Sequence, residues 1–113
     1  MEALRRGPSG SEKRGMLCTQ GPIRDLSGVV PDIAGEVLSD AGLARLASLD
    51  TAGLPVVAPG TRLGPCVGGI GKMICIGLNY SDHAAETGAQ VPPEPIIFMN
   101  APSATLGTND PII

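Results

Sequence analysis

The chain has little of several residue types on which metal-binding, aromatic-rich and membrane proteins depend. Tyr80 and Phe98 are its only aromatic residues, and His83 is its only histidine. Its three cysteines are odd in number and form no CxxC pair, so the pattern favours reduced thiols over a disulfide or a zinc site. No apolar segment approaches the roughly 20 residues that a membrane-spanning helix needs. These absences predict a cytoplasmic protein without a membrane partner.

An excess of positive charge is also absent. Eleven acidic and eight basic side chains give a formal net charge of −3. A chain with this balance has no strongly basic surface to collect phosphate backbones, so we expect no nucleic-acid partner. Four of the basic residues lie within the first fourteen positions. No apolar segment of adequate length follows them, so the pattern does not predict a secretory signal.

The first half of the chain contains short aliphatic segments separated by turn residues. Residues 3–6, 15–19 and 23–26 predict a small antiparallel β-meander. Ser39, followed by leucines at helical spacing, predicts one short amphipathic helix with a side-chain cap. The segment 54–72 is rich in proline and glycine and predicts a linker.

A domain boundary near residue 65 follows from that linker. We predict a small amino-terminal domain at 1–64 and the beginning of a second domain at 65–113. In the second domain, the run MICIGL at 73–78 and the run IIFM at 96–99 are continuous rather than alternating. Such runs are typical of strands that are covered on both faces. The last segment, GTNDPII, predicts a turn that leads into a further strand.

A short helix is predicted between the two strands of this second domain. Asn79 is expected to cap it, and it would extend from about Tyr80 to Thr87, with Gly88 as a left-handed stop. On this helix, His83 and the glutamate three residues later share a face, with Cβ atoms about 5–6 Å apart.

The spacing of His83 and Glu86 has two interpretations. A carboxylate beside an imidazole can fix its tautomer, or the two groups can deprotonate a water molecule together. An ordinary exposed pair on a helix surface has the same spacing. The spacing alone leaves both interpretations open.

Three motifs occur in order and with compatible spacing: IGLNYSDHAAE, EPIIFMNAPSA and GTNDPI. Together they resemble the fumarylacetoacetate hydrolase family, in particular its bacterial acylpyruvate hydrolases, diketo-deoxy-sugar-acid hydrolases and ureidoglycolate lyases. The resemblance is specific over residues 72–113, and RRGPSGSEKRGML and IRDLS extend it to the small leading domain of that branch. It implies a mostly β, α+β fold: a small amino-terminal β-meander with a helix, followed by the truncated start of a rolled β-sheet domain.

The resemblance also implies a chemistry. Family members cleave a carbon–carbon bond in 1,3-diketo acids, such as acylpyruvates, with the help of Mg²⁺ or Mn²⁺, and commonly form homodimers. His83 and Glu86 fall on the family's catalytic dyad, which activates the attacking water. Asn79, Tyr80 and Asn100 are the candidates for contact with the small keto-acid substrate. Asn100 stands where the family usually has the lysine of an FxKxPS motif.

The metal-ligating carboxylates of the family, a Glu-x-Glu pair and a later aspartate, have no counterpart in this sequence. The carboxylates that follow the linker are scattered: Asp82, Glu86, Glu94 and Asp110. We therefore assign no metal ligand here and expect the isolated chain to bind no metal tightly and to be inactive. Two alternatives stay open: a non-catalytic remnant or interaction module, and a ureidoglycolate lyase or dienoate isomerase activity in a longer protein.

Overall fold

The computed structural model describes residues 2–19 and 21–112. It divides the chain into two compact units, Met1–Gly69 with Leu106–Ile113, and Ile70–Thr105. The sequence prediction assigned all of 65–113 to one domain. In the structure, the segment that follows Thr105 belongs to the first unit, because its turn is bound to an arginine of that unit. The division into domains at residue 65 stays a prediction.

The sheet of the first unit is a three-stranded meander. Strands β1 (Glu2–Arg6), β2 (Lys13–Leu17) and β3 (Ile23–Asp25) are antiparallel, in the order β1-β2-β3. The central strand pairs Met16 with Ala3 on one side and with Arg24 on the other. The predicted meander is thus confirmed, although β2 begins and ends two residues earlier than expected.

A small aliphatic core lies against this sheet. Its fully buried side chains are Met16, Leu26, Ile33 and Leu46. Leu46 belongs to helix α1 (Asp40–Ala47), which follows a 3-10 turn at Gly35–Leu38. The Ser39 hydroxyl accepts a hydrogen bond from the amide of Gly42 at 3.1 Å, so one of the unpaired amides at the start of α1 is satisfied. Both the helix and its cap agree with the sequence prediction.

Part of the predicted linker is packed against the edges of the meander. Val56 forms a β-bridge with Arg24, which belongs to β3, and Leu63 forms one with Arg6, which belongs to β1. The amide of Val57, which is buried, donates to the carbonyl of Ile23 at 2.8 Å. In a flexible linker, these backbone groups would form hydrogen bonds with water instead. The linker interpretation is therefore wrong for this stretch, whose glycines and prolines mark bends between two edge contacts.

An arginine-centred network attaches the last described residues to the first unit. Arg62 Nε donates to Asp110 Oδ1 at 2.7 Å, and its Nη1 donates to Glu12 Oε1 at 3.1 Å. Asp110 Oδ2 also accepts from the amide of Gly107 at 2.7 Å, which closes the predicted turn. The strand expected after that turn is not found in residues 106–112. Its final residue, Ile113, lies outside the described residues.

This network changes the acidity of both carboxylates. The hydrogen bond from Arg62 and the one from the Gly107 amide hold the pKa of Asp110 below its ordinary value. For Glu12, burial opposes ionisation, but hydrogen bonds from the backbone and from Arg62 outweigh it, and the pKa is again lowered. Only 6% of the Glu12 side chain is exposed. Both groups are therefore ionised partners of Arg62 at neutral pH.

The second unit is a β-hairpin with a helix in its connection. Strands β4 (Met73–Gly77) and β5 (Ile96–Asn100) are antiparallel, and helix α2 (Ser81–Glu86) lies between them in the chain. A 3-10 turn at Pro102–Ala104 follows β5. Both predicted strands are confirmed. Among the described residues, no helix combines the length and the apolar character needed to cross a bilayer.

The expected coverage of these strands on both faces is not found among the described residues. On one face of the hairpin, Ile74 is 61% exposed and its neighbour in the ladder, Met99, is 69% exposed. Every residue of β5 is exposed. Two strands leave both faces open, so the aliphatic composition of MICIGL and IIFM indicates more burial than this unit provides.

Candidate functional site

The candidate site begins where β4 ends. Gly77 is the last residue of β4, and the chain turns at Leu78, whose φ of 47° is the one left-handed value among the described non-glycine residues. A side chain with a Cβ is strained in this conformation, and such strain is frequent at binding and catalytic sites. The turn directs Asn79 and Tyr80 from the strand into the start of α2.

Helix α2 begins one residue later than predicted. Its N-cap is Tyr80, which makes no side-chain cap hydrogen bond, so the prediction that Asn79 caps the helix is wrong. Instead, Asp82 Oδ1 accepts from the amide of His83 at 2.8 Å within the first turn. The Asp82 carboxylate therefore accepts the hydrogen bond from the His83 amide that an N-cap side chain would otherwise accept.

The end of α2 agrees with the prediction. Gly88 has a φ of 67°, the left-handed conformation that most often stops a helix. The amide of Ala89 then donates back to the carbonyl of Ala84 at 2.9 Å, and Thr87 Oγ1 donates to the carbonyl of His83 at 3.1 Å. The helix is thus closed at its carboxyl end by one glycine and one hydroxyl.

His83 and Glu86 lie on the open side of α2. Ala84, which is 1% exposed, is the one buried residue of the helix. By helical geometry, Glu86 lies about 160° around the axis from Ala84 and about 60° from His83. Both predicted catalytic side chains are exposed. Both side chains are therefore accessible to a ligand, but α2 alone does not form an enclosed site around them.

A cleft of about 220 Å³ lies beside the start of α2. One wall is formed by residues 76–79, at the end of β4, and the other by residues 91–95, which precede β5. Asn79 lines this cleft, whereas Tyr80, His83 and Glu86 belong to the segment that leads away from it. The structure therefore places one predicted substrate-binding residue, Asn79, in a concave site, and Tyr80, His83 and Glu86 are not among the residues that line it.

Asn100 lies away from this cleft. It is the last residue of β5 and pairs with Met73, whereas Ile96 pairs with Gly77 at the other end of the ladder. Asn100 lies four residues along β5 from Ile96, which corresponds to a distance of about 13 Å. The Asn100 amide donates to Cys75 Sγ at 3.5 Å. The structure thus does not bring Asn100 to the site that Asn79 lines.

Glu94 lines the cleft, although the sequence analysis treats it only as one of four scattered carboxylates. It contributes to the cleft wall opposite Asn79. A usable signal was present, because Glu94 lies between prolines directly before the strand that returns to Gly77. In an antiparallel hairpin, the residues before the second strand lie opposite those after the first.

The described residues do not fit a divalent-metal site. Within residues 2–19 and 21–112, no three histidine, cysteine, aspartate or glutamate side chains come together in a way that could hold a metal ion. Asp110, one of the four carboxylates after the predicted linker, is bound to Arg62 in the first unit. No chemical step can therefore be assigned to an ion held by these residues.

The chain is similar to part of several bacterial proteins. It is 59% identical over 112 residues to proteins of Burkholderia orbicola, Burkholderia cenocepacia and Burkholderia multivorans, each of which bears the name "Putative hydrolase". The match includes 99% of this chain but only 40% of each relative. The chain thus spans about two fifths of the length of these relatives. No protein-family model matches it.

Proposed function

We propose that this chain is the amino-terminal part of a hydrolase of the fumarylacetoacetate hydrolase type, which cleaves a carbon–carbon bond in an acylpyruvate-like 1,3-diketo acid. The observation that carries the proposal is the 59% identity to proteins named as hydrolases over 99% of the chain. The resemblance of IGLNYSDHAAE, EPIIFMNAPSA and GTNDPI to that family supports the finer assignment of the reaction.

In this proposal the reaction consumes one water molecule. Water adds to the carbonyl of the acyl group, and the bond between that carbon and the methylene carbon breaks with its electron pair on the methylene carbon. That carbon then takes up the proton removed from the water, so the products are a carboxylic acid, which ionises, and pyruvate. His83 and Glu86 orient the water and take its proton, and their exposure on α2 leaves both accessible to it. A coupled pair of this kind titrates as a unit, so no proton is assigned to one residue.

The remaining roles follow the same proposal. Asn79 and Tyr80, at the junction of β4 and α2, contact the substrate. Asn100 contacts the substrate only if the fold of the longer protein brings this residue to the same site. Mg²⁺ or Mn²⁺ is a proposed cofactor of that longer protein, with ligands outside the residues described here. It would supply a Lewis acid for the leaving enolate. A homodimer is proposed on the family resemblance alone.

A chimera tests the proposal. The 113 residues would replace the matching 40% of the Burkholderia multivorans relative, and pyruvate release from acylpyruvates would be measured with and without Mg²⁺. The proposal predicts metal-dependent pyruvate release by the chimera and none by the 113-residue chain alone. A folded chimera without activity on any acylpyruvate contradicts the assigned reaction. Ureidoglycolate and dienoate substrates in the same panel test the two alternative reactions.

A further inference from the structure

The cleft beside the start of α2 is lined by one charged residue to which the proposed reaction gives no role. Among the residues that line it, Glu94 carries the only ionisable side chain, and Asn79 carries the only other polar one. The remaining lining side chains are aliphatic, proline or glycine. Sites for small ligands have this composition, in which apolar walls give affinity and a few polar groups select one chemical class.

The wall that contains Glu94 is poor in hydrogen-bond donors. Pro92, Pro93 and Pro95 line the cleft, and proline has no backbone N–H. A bound carboxylate needs several donors, whereas a bound ammonium or hydroxyl group needs acceptors. The Glu94 carboxylate is the charged acceptor among the residues that line this wall.

The charge of the second unit favours the same class of ligand. Its formal charges are one cation, Lys72, and three carboxylates, Asp82, Glu86 and Glu94. Lys72 precedes β4 and is thus five residues from Gly77, a strand length of about 16 Å, which exceeds the Debye length at physiological salt. An anion in the cleft would therefore meet Glu94 without a compensating lysine or arginine among the described residues of this unit.

We propose that the cleft binds a short aliphatic group that ends in an ammonium or another hydrogen-bond donor, with Glu94 and Asn79 as its polar partners. Its volume of about 220 Å³ leaves room for a short aliphatic group. This assignment rests on the proposed function: the bound group is the end of the substrate that is remote from the keto acid. Glu94 then selects substrates without a second carboxylate at that end.

Binding of simple probes to the 113-residue chain tests this site without any turnover. Amide shifts would be followed by two-dimensional NMR during titration with n-butylammonium, n-butanol and butyrate at low ionic strength. We expect millimolar binding of n-butylammonium, with shifts concentrated at Leu78, Asn79 and Val91. One like-charge contact near 4 Å in water corresponds to about a fivefold loss, so butyrate should bind at least about fivefold more weakly.

Two variants assign the preference to one side chain. In Glu94→Gln, the ammonium and the carboxylate should bind within about twofold of each other. Asp82→Asn removes an equal charge from α2, outside the cleft lining, and should keep the wild-type preference. Equal binding of butyrate to the wild type, a preference that survives in Glu94→Gln, or no probe shifts at the cleft would each overturn the proposal. Because these readouts need no catalysis, an inactive chimera would not affect them.

Discussion

Replacement of Leu46 by alanine tests the packing of α1 against the meander. Leu46 is 1% exposed and contacts the buried cluster that contains Met16, Leu26 and Ile33. Removal of a fully buried leucine side chain costs about 2–5 kcal/mol, because it loses apolar burial and leaves a cavity. We therefore expect Leu46→Ala to lower the free energy of unfolding of the first unit by about 3 kcal/mol. For a unit of this size, that loss lowers Tm by about 12–24 °C.

Leu43→Ala is the matched control on the same helix. Leu43 is 42% exposed, so its truncation removes less buried surface, and alanine is at least as good a helix former. We expect a cost below about 1 kcal/mol. The assay is native-state hydrogen exchange at the amides of Leu26 and Val57, which donate to Arg14 and Ile23 at 3.2 Å and 2.8 Å. Equal losses in the two variants would refute the assignment of Leu46 to the core.

Two further predictions concern the carboxylate network and the end of α2. The pKa values of Glu12 and Asp110 are lowered in the folded state, so the stability that they contribute is present above their ordinary pKa near 4 and is lost as pH falls through the lowered values. The urea concentration at the midpoint of unfolding should fall on acidification below about pH 4, and it should fall less steeply with pH in Asp110→Asn. The same dependence on pH in the variant and the wild type would contradict the network. Gly88 has a φ of 67°, so Gly88→Ala should cost about 1 kcal/mol and speed exchange of the Ala89 amide. Gly71→Ala, in open space without a left-handed φ, should leave that amide unchanged.

The elements that rest on local signals were predictable from the sequence. Ser39 caps α1 as expected, and Gly88 ends α2 in the left-handed conformation. Both involve residues at most a few positions apart, and each has a strong preference for its position. The meander was predictable for the same reason, because its connections are short and rich in turn residues.

The elements that depend on distant contacts were not predictable. Val56 and Leu63 pair with strands 32 and 57 positions away, as their partners Arg24 and Arg6 show, and glycine and proline content alone cannot distinguish a docked segment from a linker. The salt bridge of Arg62 with Asp110 likewise joins residues 48 positions apart. The sequence also gave no register for β4 and β5, so it could not separate Asn100 from Asn79.

For the candidate site, the sequence placed His83 and Glu86 on one helix, and the structure has both on α2. It did not reveal the cleft, because the two walls are separated by α2 in the chain and meet only through the pairing of Gly77 with Ile96. The catalytic role of the two residues stays a prediction.

The most direct test of that role is a comparison of single variants in the chimera with the Burkholderia multivorans relative. The values of kcat/KM for pyruvate release would be measured for His83→Ala, Glu86→Gln and Asp82→Asn, with the far-ultraviolet circular dichroism spectrum as a check of folding. General acid–base catalysis contributes about 10²–10⁴-fold, so the first two variants should lose at least about 100-fold, whereas Asp82→Asn should retain activity within about threefold. Activity of folded His83→Ala and Glu86→Gln at the level of Asp82→Asn would contradict the account.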